Sequence, residues 1–290
     1  MLNNLFNLSQ WVRKGRGVCL LLSAAMLAAS SAVAQVTHVV SGGAVINSRF
    51  STDNMDPTDS VEVNGGSFQN GIGNGMDERS ISNITVNSGV GRTERGSTVT
   101  GSVEVRGGEF ANDGTIAKGK ILDGVSRNTG SISEMHYFGG DFFGDTGNIG
   151  ALTLAGSSSG NSFGKVTSLD FASDGSGYLT ISGYDDKAGG LSFDPGFQAS
   201  TVNLFYGNIV IDLKDTVSDG AEFSLRDLFG PADVFGTLSS LTIGEQQFFS
   251  VGTDSIFAYA DGAWSVPEPA TLLIIGLGLA GLGLVQRRRK

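Results

Sequence analysis

The chain has 290 residues, with 19 Lys and Arg against 29 Asp and Glu for a formal net charge of −10, 44 glycines, five prolines and one cysteine. The acid excess argues against nucleic acid or an anionic membrane as a partner of the folded body, and a lone cysteine excludes a disulfide framework or a thiolate metal site. Glycine without a collagen period, and so little proline, points to many short strands and not to disorder.

Residues 1–34 have the layout of a secretory signal peptide. Arg13, Lys14 and Arg16 precede an apolar run from Val18 to Ala29, and small residues follow. Ala32 and Ala34 supply the small side chains of a signal-peptidase site, so the exported chain starts at Gln35. The alternative, an uncleaved anchor helix, needs a longer apolar run than this one. Cys19 lies inside that run, not after it, so a lipid attachment site does not fit.

Residues 35–190 form a degenerate repeat array. "VEVNGGSFQN" from Val61 and "VEVRGGEFAN" from Val103 agree at seven of ten positions, and "VVSGGAVIN" from Val39 and "HYFGGDF" from His136 are weaker copies. Related pieces start at Ile84, Leu152 and Leu179. Alternating apolar residues make strands with one buried face, and the Gly-Gly pairs permit sharp corners at positive φ. Spacings near twenty residues, with gaps nearer thirty, suit the rungs of a right-handed parallel β-helix, in which stacked repeats bury what one repeat cannot. Asn70 and Asn112 fall at equivalent corner positions and are expected to stack. A β-sandwich of antiparallel hairpins is the alternative all-β fold.

From about Leu191 the pattern becomes denser. "TVNLFYGNIVIDL" reads as a strand pair, "SLRDLFG" as one helical turn, and the run from Ser240 to Trp264 as three more strands. Residues 191–264 are therefore expected to form a C-terminal β cap or small β-domain, since the end of a solenoid must cover an open core.

No catalytic signature emerges from the body. The two histidines, His38 and His136, read as polar strand or turn residues, and no zinc-protease, serine-hydrolase or phosphate-loop pattern occurs. Asp141, Asp145, Asp170 and Asp174, with the adjacent pair Asp185 and Asp186, could hold calcium or act as acid and base, though solvated turn aspartates are the plainer reading. Asp53, Asp56 and Asp59 lack the glycine and distal glutamate of an EF-hand loop. We expect no catalytic residues, metal or cofactor. Setting aside three basic residues before Gln35, and four basic residues and Glu268 after Val266, leaves the body with twelve basic and twenty-eight acidic residues, a net charge of −16.

The last segment, residues 265–290, is a second membrane element. Ala270 to Val285 are sixteen residues without charge, about 24 Å of helix, followed by Arg287, Arg288, Arg289 and Lys290 as a basic stop that keeps the tail cytoplasmic. Pro267 and Pro269 read equally as helix-start punctuation or as an exposed extended tripeptide. The order Pro267-Glu268-Pro269, apolar helix and basic cluster resembles the PEP-CTERM sorting signal of Gram-negative bacteria that make extracellular polysaccharide. That resemblance implies recognition by an exosortase-like membrane protease, transit through the inner membrane, and delivery to the cell surface or extracellular matrix. The resulting expectation is a non-enzymatic surface or exopolysaccharide-matrix protein with a structural or adhesive role and extracellular polysaccharide as a possible ligand. The alternatives are a polysaccharide lyase or glycosidase on a β-helix and a calcium-dependent carbohydrate-binding module.

Overall fold

The computed structural model of the chain describes residues 35–50, 54–72, 77–144, 146–185 and 190–266. The predicted signal peptide and the C-terminal helix over Ala270–Val285 lie outside these. Among the described residues no helix is long and apolar enough to cross a membrane.

From Thr37 onward the chain winds as a β-solenoid of stacked parallel coils. Each regular coil has three runs. In the coil that starts with Thr98–Val105, the first run is Thr98 and Val99, a bend follows, and the second run is Val103 to Val105. A glycine corner then leads to the third run, Glu109–Asn112. Each run pairs in parallel with the same run of the coils before and after it, giving three faces. The parallel ladders that join successive coils decide between the two all-β folds open to the sequence, in favour of the solenoid.

The register sets the coil lengths. On the second face, His38 pairs with Val61 and Val61 with Ile84, so the first coils are the longest of the regular ones. The step shortens from Ile84 to Val103, and is shortest from Val103 to Gly119 and from Gly119 to Met135. Met135 to Leu152 and Leu152 to Leu169 are longer than these by a single residue. These steps make up the solenoid's regular turns, about seven in all. The next two, Leu169 to Val202 and Val202 to Val234, are nearly twice as long. The ladders therefore continue across residue 190, through Phe197–Asn203, Asn208–Leu213, Asp233–Phe235 and Thr237–Ile243. Antiparallel strands close the far end: Gln246–Gly252 lies against Thr237–Ile243, and Glu222–Ser224, Ile256–Ala260 and Ala263–Ser265 form a separate small sheet.

Register turns the repeat into columns. Ile81, Val99, Ile116, Ile132, Ile149 and Val166 stack inside the first face, all buried. Val40, Val63, Val86, Val105, Ile121 and Tyr137 stack inside the second. Inside the third face a polar column is wholly buried: Asn47 donates to Asn70 at 2.9 Å and Asn112 donates to Asn128 at 2.8 Å. Thr93 stands between the two asparagine pairs and divides them. Asn112 Oδ1 also accepts the Gly114 N–H at 3.1 Å, so the amide secures the corner as well as its neighbour.

The corner between the second and third faces depends on glycine. Gly66, Gly89, Gly108, Gly124 and Gly140 all have left-handed φ, from 71° to 87°. A Cβ on each would lie 2.4 to 2.6 Å from the carbonyl oxygen of the corresponding glycine one coil earlier. Gly108→Ala therefore incurs both a left-handed penalty and a backbone clash, for a loss of about 2 kcal/mol or more. Gly42, with open space around it, should accept Ala within about 0.5 kcal/mol. Urea unfolding of the two variants measures the difference; equal losses would mean that the corner stacking is not what constrains the coil.

Candidate functional site

The outward side chains follow the same register. On the first face, Ser80, Thr98, Thr115, Ser131 and Asn148 make one straight uncharged row, continued by Lys165 and Gln198. Neighbouring strands are about 4.8 Å apart, so this row is a regular track of hydroxyl and amide groups. The bend beside it carries Ser133, Thr167 and Ser200, which are exposed. The second face is different: Glu62, Thr85, Glu104, Lys120, His136 and Thr153 succeed one another, mixing both signs of charge. Its exposed pairs, Lys118 with Glu134 at 3.2 Å and Lys120 with Glu104 at 3.8 Å, add at most about 1 kcal/mol each.

The track of the first face runs into a recess of about 690 Å³. Its floor is the first-face stretch from Lys165 to Thr167 and the next coil from Gln198 to Ser200, and its walls are the segments from Phe193 to Phe197 and from Leu228 to Pro231. Asp194 accepts the Gly196 N–H at 2.8 Å, and Gly196 takes a left-handed φ of 76°, which together turn the first wall. The Phe197 and Phe229 rings, 6.5 Å between centroids, tie the walls to each other, and Phe193 packs on Phe223 at 5.0 Å. The side chains of Asn148, Lys165, Thr167, Gln198 and Ser200 form no hydrogen bond to protein among the described residues, leaving their polar ends toward solvent.

Among the described residues, the aspartates considered for acid–base or calcium chemistry are not gathered. Asp141 opens a third-face strand, Asp170 lies near the end of a second-face strand, and Asp174 sits in an exposed turn. There the Ser176 hydroxyl and backbone N–H both bond to the Asp174 carboxylate and hold its pKa below the usual range. Asp185 accepts the Ser218 hydroxyl at 2.8 Å and its N–H at 3.2 Å, pinning a loop. Asp59 pairs with His38 at 2.9 Å and accepts the Asp56 N–H at 3.1 Å, a turn-closing role for the two aspartates. His136 is exposed on the second face. Among the described residues, no group of three or more His, Cys, Asp or Glu is placed to hold a metal ion. Asp53, Asp145 and Asp186 lie outside the described residues.

One feature that the sequence did not announce is a corner network in the first coils. Arg49 pairs with Asp77 at 3.5 Å, and Arg92 bridges Glu94 at 2.6 Å and Asp113 at 3.1 Å. Asp77 and Glu94 are buried beneath their arginines, so these acids serve as struts. No sequence pattern marks the links from Arg49 to Asp77 and from Arg92 to Asp113, because each joins residues a coil apart.

The body ends in a clamp. Trp264 is buried against Phe223 and Tyr259. Its N–H bonds to Gln246 Oε1 at 2.6 Å and its carbonyl accepts from Gln246 Nε2 at 3.1 Å. From the very next residue, residues 265–290 match the family description "PEP-CTERM protein-sorting motif". The chain carries a PEP-CTERM sorting domain. It is thereby an exosortase-sorted extracellular protein, exported with passage through the membrane. No curated protein and no solved structure matches the chain. Of the expected sorting and cleavage residues, Pro267, Glu268, Pro269, Arg287, Arg288, Arg289 and Lys290 belong to the PEP-CTERM segment and lie outside the described residues. Ala32 and Ala34 lie outside them as well, and Gln35 is exposed.

The clamp makes a stability prediction for the PEP-CTERM protein. Trp264→Ala should cost about 3–5 kcal/mol through loss of a buried ring, and Gln246→Ala about 1–3 kcal/mol by leaving both bonded backbone groups unpaired. Urea midpoints read both; a neutral Trp264→Ala would show that the last strand is not part of the cooperative body.

Proposed function

We propose that the protein is a non-enzymatic structural component of the cell surface or exopolysaccharide matrix, with an adhesive role. Its signal peptide is removed after Ala34, the basic tail stays cytoplasmic during transit, and the exosortase acts at Pro267-Glu268-Pro269. The observation that carries the reading is the continuous solenoid itself, joined without a spacer domain to the sorting motif. A stack of in-register coils is stiff along its axis and repeats its outer side chains at a fixed interval, which suits a spacer or scaffold and repeated weak contacts with a polymer. The body's net charge of −16 keeps such a rod soluble and separate from its neighbours.

Intact-mass spectrometry of membrane and extracellular fractions from the native cells tests this. The expected extracellular species starts at Gln35 and ends within Pro267 to Pro269, and removal of those three residues leaves the chain in the membrane fraction. Only a membrane species retaining Lys290 in the unaltered protein would overturn sorting to the surface. Depolymerisation of a polysaccharide by the purified protein would overturn the non-enzymatic role.

A further inference from the structure

We infer that the recess at the end of the first face binds a neutral, chain-like saccharide that lies along the Ser/Thr track. This deepens the matrix reading, on which it rests, by naming a ligand class and a site. Four observations converge on that chemistry: floor, walls, charge and shape. The floor offers neutral donors and acceptors, Thr167, Gln198 and Ser200, none of them engaged with protein among the described residues. The walls add apolar surface from the half-buried Phe193 and Pro195 and the exposed Pro231. Apolar walls with a few convergent polar groups suit a sugar ring, which has apolar faces and a hydroxylated rim.

Charge selects among polymers. Lys165 and Asp194 place one charge of each sign at the recess, while the body around it carries −16. A polyuronate is repelled at long range and a neutral chain is not. Shape selects an extended ligand: the uncharged row Ser80, Thr98, Thr115, Ser131 and Asn148 leads straight to the recess, so that a chain seated there meets a hydroxyl or amide at every rung.

Isothermal titration of the full chain in detergent tests this, using the hexasaccharide of an uncharged β-linked glucan and an oligogalacturonate of equal length. The expected result is saturable binding of the neutral ligand alone, unchanged by added salt. Ser200→Trp, at an exposed position, fills the recess and should weaken binding at least tenfold with no change in Tm. Ser173→Trp, in an exposed turn at a different corner, should bind as the unaltered chain does. No binding of the glucan, equal binding of the charged ligand, or full binding by Ser200→Trp would each overturn the inference. Failure here is separable from failure of sorting: a correctly truncated extracellular protein that ignores glucan overturns only the site.

Discussion

The constraint that the solenoid depends on is small: a left-handed glycine stacked so near the carbonyl of the glycine one coil earlier that no Cβ fits between them. It recurs from Gly43 through Gly66, Gly89, Gly108 and Gly124 to Gly140. The same carbonyls accept hydrogen bonds from the residue after the next glycine, as in Val125 to Gly108 and Asp141 to Gly124, 2.9 and 2.8 Å. Any side chain there would push two coils apart and strain the ladders on either side. With the corner fixed, the runs that meet at it must stay in register. Register then places valine on valine and asparagine on asparagine through the interior. The apolar columns supply the burial, while each asparagine pair shares one amide hydrogen bond inside, with Thr93 Oγ1 and Asn128 Nδ2 in that column left without a partner among the described residues.

Fixing one corner leaves the others free to vary, and that freedom is where the recess originates. The tight coils between Val103 and Leu169 have little spare chain. The two long coils, from Leu169 to Val202 and from Val202 to Val234, carry their surplus outward as loops. The two walls of the recess are such loops, one from each long coil, standing over a floor made by the regular face. A rigid scaffold with variable loops is a common way to build a binding surface, and here the scaffold contributes the floor itself.

The C-terminal end of the body is closed by its own residues. Antiparallel strands and an aromatic group, Phe223, Phe257, Trp264 and Phe248, cover the core there. Trp264, held by Gln246, is the last buried residue of that closure, and its strand ends at Ser265, where the sorting segment begins. The folded body and the sorting segment thus adjoin, with the hydrophobic burial on the body side.

Much was legible in sequence because it is local. Alternation set the strands, the Gly-Gly pairs at Gly65 and Gly107 set the corners, and the match of Val61–Asn70 to Val103–Asn112 set the repeat. Asn70 and Asn112 do stack in one column, each on another asparagine, although Thr93 separates them. The PEP-CTERM tail was readable because its chemistry is linear: motif, apolar run, basic cluster. Gly89 and Gly124, each single and preceded by Ser88 or Asp123, hold the same corner as the pairs, and only register shows that they do. The recess was not legible, because Lys165, Asp194, Ser200 and Pro231 come from separate turns of the chain, and nothing local reveals which loop overhangs which face. The sequence by itself determined strands, corners and destination, which depend on near neighbours along the chain. The tertiary structure alone decided coil length, register and the site, because these depend on which backbone carbonyl each N–H finds one coil away.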